Sequence, residues 1–162
     1  LTRMDLRTGI DPNRYPVAAV ARLRASNLRG NIYNADQFGG FLIWSFEPER
    51  RVLTDGRNEL YRSYLAEYAS ARSDERRWRA LLAKYHVDLA VEEYRPGAME
   101  VVDKVTGVRR SAPASSVYFP RREWALIGYD RVAMVFARRD AYSAVELTPF
   151  EIRGIVPDAV AP

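Results

Sequence analysis

The chain has 162 residues, a length that suits one domain and lets folding bury roughly two-thirds of the unfolded surface. It carries 25 Lys and Arg against 21 Asp and Glu, a formal net charge of +4, with the two signs interspersed. The sequence therefore lacks the dense basic stripe expected of a nucleic-acid-binding protein. The lack of cysteine excludes disulfides, thiol catalysis and zinc sites with cysteine ligands. No apolar run approaches the roughly 20 residues of a membrane-spanning helix.

Nearly all of the positive charge is arginine, since Lys84 and Lys104 are the only lysines. Guanidinium groups recognise phosphate through paired hydrogen bonds, so phosphate binding is one interpretation of this bias. An arginine-rich, solvated surface encoded by a GC-rich genome is the other.

The sequence predicts a linker, one domain and an extension. Residues 1–14 are polar and irregular, and form the predicted linker. Because the chain starts at Leu1 without a signal-peptide pattern, we expect it to be part of a longer protein. Residues 15–139 form a single α/β domain with an insertion at about 95–119. Residues 140–162 are rich in proline and alanine and are predicted to be a loosely attached extension.

The first half of the domain alternates between helical and extended patterns. The predicted elements are a helix at 15–27, a strand at 31–34, a helix capped by Asp36, and a strand at 51–54. Gly39 and Gly40 each cost the second helix about 1 kcal/mol relative to alanine. Close approach of the backbone to a neighbouring strand or to a ligand is the usual reason for such glycines.

The second half begins with two amphipathic helices. The predicted elements are a helix with a tyrosine face at 61, 64 and 68, a helix opened by Ser73-Asp74-Glu75, a strand at 87–91, extended pieces at 99–105 and 115–119 around Thr106-Gly107, and hairpin strands at 123–129 and 131–138. These elements predict an α/β fold with a three-layer, Rossmann-like mixed sheet of about five strands. A C-terminal antiparallel hairpin and a small β-hairpin insertion complete it.

Two predicted strands each run into a polar turn that contains glycine. Parallel strands would bring both turns to one rim of the sheet, where open α/β sheets bind ligands. The candidate ligand-binding residues are Asn34, Asp36, Gln37, Gly39, Gly40, Asp55, Gly56 and Arg57.

Each of these candidates has a structural alternative. Asp36 and Asp55 would share a cation or accept hydrogen bonds from sugar hydroxyls, or instead Asp36 caps a helix and Asp55-Gly56 forms a turn. Arg57 would hold a phosphate or diphosphate group, or instead pair with Asp55 or Glu59.

No catalytic residue, metal site or cofactor is predicted. His86 has no neighbouring ligand or nucleophile and fits the end of a helix. Glu92 and Glu93 are adjacent strand residues that point to opposite faces. The glycine pair does not match the dinucleotide fingerprint, and no Walker lysine motif occurs.

The order of motifs resembles the C-terminal region of bacterial multi-pass membrane proteins of the C-type glycosyltransferase superfamily. That superfamily uses polyprenyl-phosphate sugars and includes protein mannosyltransferases and oligosaccharyltransferases. The resemblance covers about residues 14–139. It rests on Tyr15-Pro16-Val17-Ala18-Ala19-Val20, Gly30-Asn31-Ile32-Tyr33-Asn34, Gly39-Gly40-Phe41-Leu42-Ile43-Trp44, Pro48-Glu49-Arg50-Arg51-Val52, Asp55-Gly56-Arg57, Tyr61, Trp78, Tyr85-His86-Val87-Asp88, Trp124 and Val135-Phe136.

The resemblance implies an accessory role on the periplasmic, extracytoplasmic side of the cytoplasmic membrane. In the superfamily the catalytic carboxylates belong to membrane helices and their first outward loop, which this sequence does not contain. The chain alone is therefore expected not to catalyse sugar transfer. The implied partners are its own membrane-embedded N-terminal region and a polyprenyl-phosphate sugar or an acceptor. The alternatives are an independent α/β small-ligand-binding protein or enzyme, and a structural protein-interaction domain.

A more distant similarity is to the acceptor-recognition motif of oligosaccharyltransferases, two tryptophans followed by aspartate, tyrosine and glycine. Only Asp36 and Gly39 correspond to it. An extra residue separates them and no tryptophan pair precedes them. The similarity therefore implies a location and no residue role.

Overall fold

The computed structural model describes residues 9–57, 62–102 and 106–159 of a mixed α/β protein. The α-helices are α1 (Val17–Ser26), α2 (Gly39–Phe46), α3 (Arg62–Ala71), α4 (Glu75–Lys84), α5 (Ala114–Tyr118) and α6 (Ala144–Leu147). The strands are β1 (Asn31–Asn34), β2 (Val87–Glu93), β3 (Met99–Val102), β4 (Arg109–Ala112), β5 (Trp124–Tyr129) and β6 (Ala133–Arg138). Within these residues, none of the helices has the length and apolar character needed to span a bilayer. Predictions for residues 1–8, Glu59, Tyr61, 103–105 and 160–162 lie outside the described residues.

Local signals in the sequence set the helix ends. Helix α4 begins within the predicted segment Ser73-Asp74-Glu75, and the Asp74 side chain caps it by accepting a hydrogen bond of 3.0 Å from the backbone N–H of Arg77. Helix α1 ends at Asn27, whose φ of 54° is left-handed, a conformation that asparagine tolerates. One turn of 3₁₀ helix, Asp36–Phe38, leads into α2.

The main sheet has the strand order β1-β2-β6-β5. Strands β1 and β2 are parallel, and β6 runs antiparallel to both of its neighbours. The predicted strand at 51–54 is reduced to a single parallel bridge between Val52 and Ile32. The ladder ends there because the Asn34 side chain contacts the backbone of Leu53 and Thr54. Among the described residues the sheet therefore has four strands and one bridge in place of the predicted five strands.

Apolar residues on both faces of the sheet pack against helices. Successive strand residues point to opposite faces, so Ile32 contributes to one cluster and Tyr33 to the other. Helices α1 and α2 contribute to the first cluster, and α3, α4 and α5 contribute to the second.

Both predicted hairpins are present. Strands β5 and β6 pair around Asp130, whose Oδ1 accepts hydrogen bonds from Val132 N (2.7 Å) and Ala133 N (2.9 Å). Strands β3 and β4 form a separate two-stranded sheet within the predicted insertion. The prediction of an extended segment at 115–119 is wrong, because Pro113 precedes helix α5 and the backbone N–H of Ser115 donates to Asp158 Oδ2 at 2.9 Å.

The C-terminal segment is packed against the domain. Leu147 is buried, and the backbone N–H of Ile152 donates to Leu126 O on the edge strand β5 at 2.8 Å. Asp158 is fully buried, and its backbone oxygen accepts a hydrogen bond of 3.0 Å from Gly97 N in the insertion. The prediction of a loosely attached tail is therefore wrong for residues 141–159.

Candidate functional site

The two polar turns meet at one rim of the sheet, as the sequence predicts. Val52 lies parallel to Ile32, so the chain leaves both segments in the same direction. The carboxylate of Asp36 accepts a hydrogen bond of 3.2 Å from the backbone N–H of Gly56. The loops near positions 36 and 56 are therefore neighbours.

Asn34 joins the two loops from inside the protein. Its Nδ2 donates to Thr54 O at 2.9 Å and to Ala35 O at 3.0 Å, and its Oδ1 accepts from Leu53 N at 3.1 Å. The side chain is buried. Because its amide is used in this way, Asn34 positions the rim and does not line the open surface.

The glycine pair has two different roles. A Cβ atom on Gly39 would lie 1.9 Å from Thr54 O, so the close backbone approach predicted for this pair is present at Gly39. Gly40 has no atom within 4 Å of its Cβ position and faces an open groove. Gly39 permits contact between the loops, and Gly40 leaves space above them.

This groove, which we call the aromatic groove, has a volume of about 640 Å³. Its lining residues are Gly9, Ile10, Tyr15, Asp36, Gln37, Gly40, Phe41, Trp44, Asp55 and Gly56. Five of the eight predicted candidates line it. The other three are Asn34, Gly39 and Arg57, which lie behind or beside it.

Aromatic side chains form one wall of the aromatic groove. The ring centroids of Tyr15 and Phe41 are 5.5 Å apart, and those of Phe41 and Trp44 are 5.9 Å apart. Trp44 is 72% exposed. The exposure of Trp44 was not predicted from the sequence. Phe38, Leu42 and Phe46 recur every four residues and form the buried face, which leaves Trp44 on the exposed side.

The two carboxylates of the groove have different surroundings. Asp55 forms the predicted ion pair with Arg57, whose Nε lies 2.9 Å from Oδ1 and whose Nη2 contacts Oδ2. Asp36 does not cap its own helix. Among the described residues, Gly56 N is the one hydrogen-bond donor to its exposed carboxylate. The groove thus combines a neutralised carboxylate with a charged one.

A second polar cluster lies on the opposite face of the sheet and was missed by the sequence analysis. Glu92 Oε2 accepts a hydrogen bond of 3.1 Å from Tyr33 Oη, which is also 3.1 Å from Tyr68 Oη. The Arg72 guanidinium stacks on Tyr118, with Cζ 3.4 Å from the ring centroid, and its Nη1 lies 3.7 Å from Glu92 Oε2.

Burial dominates the electrostatics of this cluster. Burial raises the pKa of Glu92, although Arg72 and the hydrogen bond from Tyr33 oppose the rise. Burial also raises the pKa of Tyr33 well above its ordinary value. Glu93 pairs separately with Arg95, at 2.7 Å between Oε2 and Nε, so the two adjacent glutamates do not act together.

His86 lies at the end of α4, as predicted. It is exposed, and its backbone N–H donates to Ala83 O at 3.0 Å. Within residues 9–57, 62–102 and 106–159, no group of three or more His, Asp or Glu side chains is arranged to hold a metal ion.

Comparison with known proteins gave no match to a family model, to a curated protein or to a solved structure.

Proposed function

We propose that this chain is a non-catalytic, extracytoplasmic accessory domain of a membrane-embedded glycosyltransferase-like protein. In this proposal the domain adjoins its own membrane-embedded N-terminal region. It binds part of the protein's ligand, either the acceptor or the polyprenyl-phosphate sugar, in the aromatic groove.

The observation that carries the proposal is the pairing of an aromatic wall with a polar floor. Phe41 and Trp44 offer ring faces on which the C–H face of a sugar can pack. Asp36 and Gln37 line the same groove and supply oxygen and amide groups for sugar hydroxyls. A few polar groups in a largely apolar concavity are typical of small-molecule sites.

The position of the groove in the fold gives further support. It follows the carboxyl end of β1, at the rim where open α/β sheets bind ligands. Helices that pack on both faces of the sheet support the three-layer, Rossmann-like arrangement. The order of motifs from Tyr15 to Phe136 supports the glycosyltransferase-like context.

Trp44 provides a direct test of ligand binding. It is 72% exposed, whereas Trp78 and Trp124 are each 3% exposed, so a ligand in the groove changes the emission of one tryptophan. We expect a saccharide to shift that emission and to protect it from acrylamide quenching. Trp44→Phe removes the reporter and serves as the control. If neither neutral oligosaccharides nor sugar phosphates change the emission, or release heat in calorimetry, the binding role is wrong.

The membrane context is tested separately by the gene. Upstream of Leu1 we expect several apolar segments of about 20 residues. A complete reading frame without them would contradict the glycosyltransferase-like context and leave ligand binding to be judged on its own.

A further inference from the structure

We infer that the aromatic groove takes uncharged sugar rings of an acceptor glycan, and not the phosphorylated sugar of a lipid-linked donor. This inference rests on the proposed function, since it assumes that the groove binds saccharides.

The charges at the groove disfavour phosphate. Arg57 is the cation nearest to the rim in sequence, and its guanidinium is held by both oxygens of Asp55. In the part of the chain that the structure describes, no arginine or lysine lines the groove. The remaining charge is the carboxylate of Asp36, which repels a phosphate group.

The same carboxylate suits a neutral sugar. Asp36 Oδ1 accepts the backbone N–H of Gly56, which fixes the orientation of the carboxyl group. Oδ2 has no donor among the described residues and can accept a hydroxyl hydrogen bond. Gln37, which also lines the groove, adds an amide that both donates and accepts.

The aromatic wall suits more than one sugar ring. Tyr15, Phe41 and Trp44 follow one another at centroid separations of 5.5 and 5.9 Å. The groove volume of about 640 Å³ lies within the range of small-molecule sites, about 300 to 1,000 Å³. A short oligosaccharide therefore matches the groove better than a single phosphorylated sugar does.

The test compares neutral trisaccharides with sugar 1-phosphates. The probes are maltotriose, mannotriose and triacetylchitotriose against glucose, mannose and N-acetylglucosamine 1-phosphates, measured by calorimetry and by Trp44 emission. We expect at least one trisaccharide to bind at least tenfold more tightly than its 1-phosphate counterpart. Trp44→Ala, which changes an exposed side chain, should weaken that binding at least tenfold.

Charge variants isolate the role of Asp36. Asp36→Asn keeps an oxygen for Gly56 N and removes the charge, so the preference for the neutral sugar should fall about fivefold. Asp140→Asn is the matched control. Asp140 is exposed and pairs with Arg138, which also contacts Asp88 at the amino end of β2, the edge opposite the groove.

The outcomes separate this inference from the proposed function. Tighter binding of a sugar 1-phosphate overturns the inference and leaves the groove as a saccharide site. Binding of neither probe class overturns both. An equal change in preference for Asp140→Asn and Asp36→Asn shows that Asp36 is not the discriminating charge and also overturns the inference.

Discussion

The carbonyl oxygen of Thr54 lies 1.9 Å from the position that a Cβ atom on Gly39 would occupy. Asp55 Cα lies 2.4 Å from the same position. Both neighbours are backbone atoms, so no side-chain rotation can relieve the contact. Gly39 is therefore the residue that allows the two loops of the aromatic groove to meet.

Gly39→Ala should destabilise the protein and open the groove. We expect a loss of about 1–3 kcal/mol in the free energy of unfolding, because the loops must move apart to accept the methyl group. Gly40→Ala is the matched control. With no atom within 4 Å, it should be neutral or stabilising by up to about 1 kcal/mol. Urea unfolding of both variants measures the difference, and equal stability of the two would contradict the contact.

Asn34→Asp should destabilise the rim in a pH-dependent way. The substitution replaces the amide donor to Thr54 O and Ala35 O with an oxygen, and we expect a cost of about 1–3 kcal/mol or more at neutral pH. Burial raises the pKa of the introduced carboxyl, and protonation restores one donor. The loss should therefore shrink as the pH falls towards 4. Thermal unfolding measured at several pH values tests this. A loss of stability that does not change with pH would argue against the hydrogen bonds of the Asn34 side-chain amide.

Glu92 should make stability depend on pH. Burial raises its pKa above the unfolded value, so the folded state binds the proton more tightly. The associated stability is fully present below the unfolded pKa and is lost as pH rises through the folded pKa, with a slope of at most about 1.4 kcal/mol per pH unit. Glu92→Gln removes the titration and is the reference. The stability of the wild-type protein relative to this variant should fall as the pH rises above about 4, the ordinary pKa of a glutamate in the unfolded chain. A difference in stability that stays constant with pH would show that burial does not raise the pKa of Glu92.

Asp158→Ala should loosen both the tail and the insertion. It leaves the backbone N–H and Oγ of the buried Ser115 without their partner, which costs about 1–3 kcal/mol. Ser115→Ala is the control and should cost less, because the backbone N–H still reaches the carboxylate. Denaturant unfolding and limited proteolysis of residues 141–159 measure the effect. Unchanged protection of the tail would mean that Asp158 does not anchor it.

Local patterns account for the elements that the sequence predicts well. Val17, Val20 and Leu23 recur at helical spacing and lie in α1. Asp74 caps α4 through a hydrogen bond from the backbone of Arg77, only three residues further along the chain. The rim is predictable for a similar reason. Two short apolar segments that end in polar glycine turns need only pair in parallel to bring those turns together.

Contacts between distant parts of the chain account for what the sequence does not predict. Helix α5 depends on Asp158, 43 residues further along the chain. The strand predicted at 51–54 is shorter than expected because the Asn34 side chain hydrogen-bonds to the backbone of Leu53 and Thr54. Arg50 is buried because its guanidinium donates to Leu23 O and Leu28 O near the end of α1, and nothing in its neighbours in sequence signals this.

The aromatic wall lies between these two cases. Trp44 belongs to an apolar helix, and its exposure follows from helical geometry once Leu42 and Phe46 are taken as the buried face.

The buried amide of Asn34 has a consequence for recognition. It hydrogen-bonds to the backbone on both sides of the rim, so the loops are held in their mutual arrangement before any ligand binds. A partner then meets a preorganised surface and loses little of its interaction energy to ordering the polypeptide. Association should accordingly follow a single kinetic step, with a rate that rises in proportion to saccharide concentration and shows no plateau.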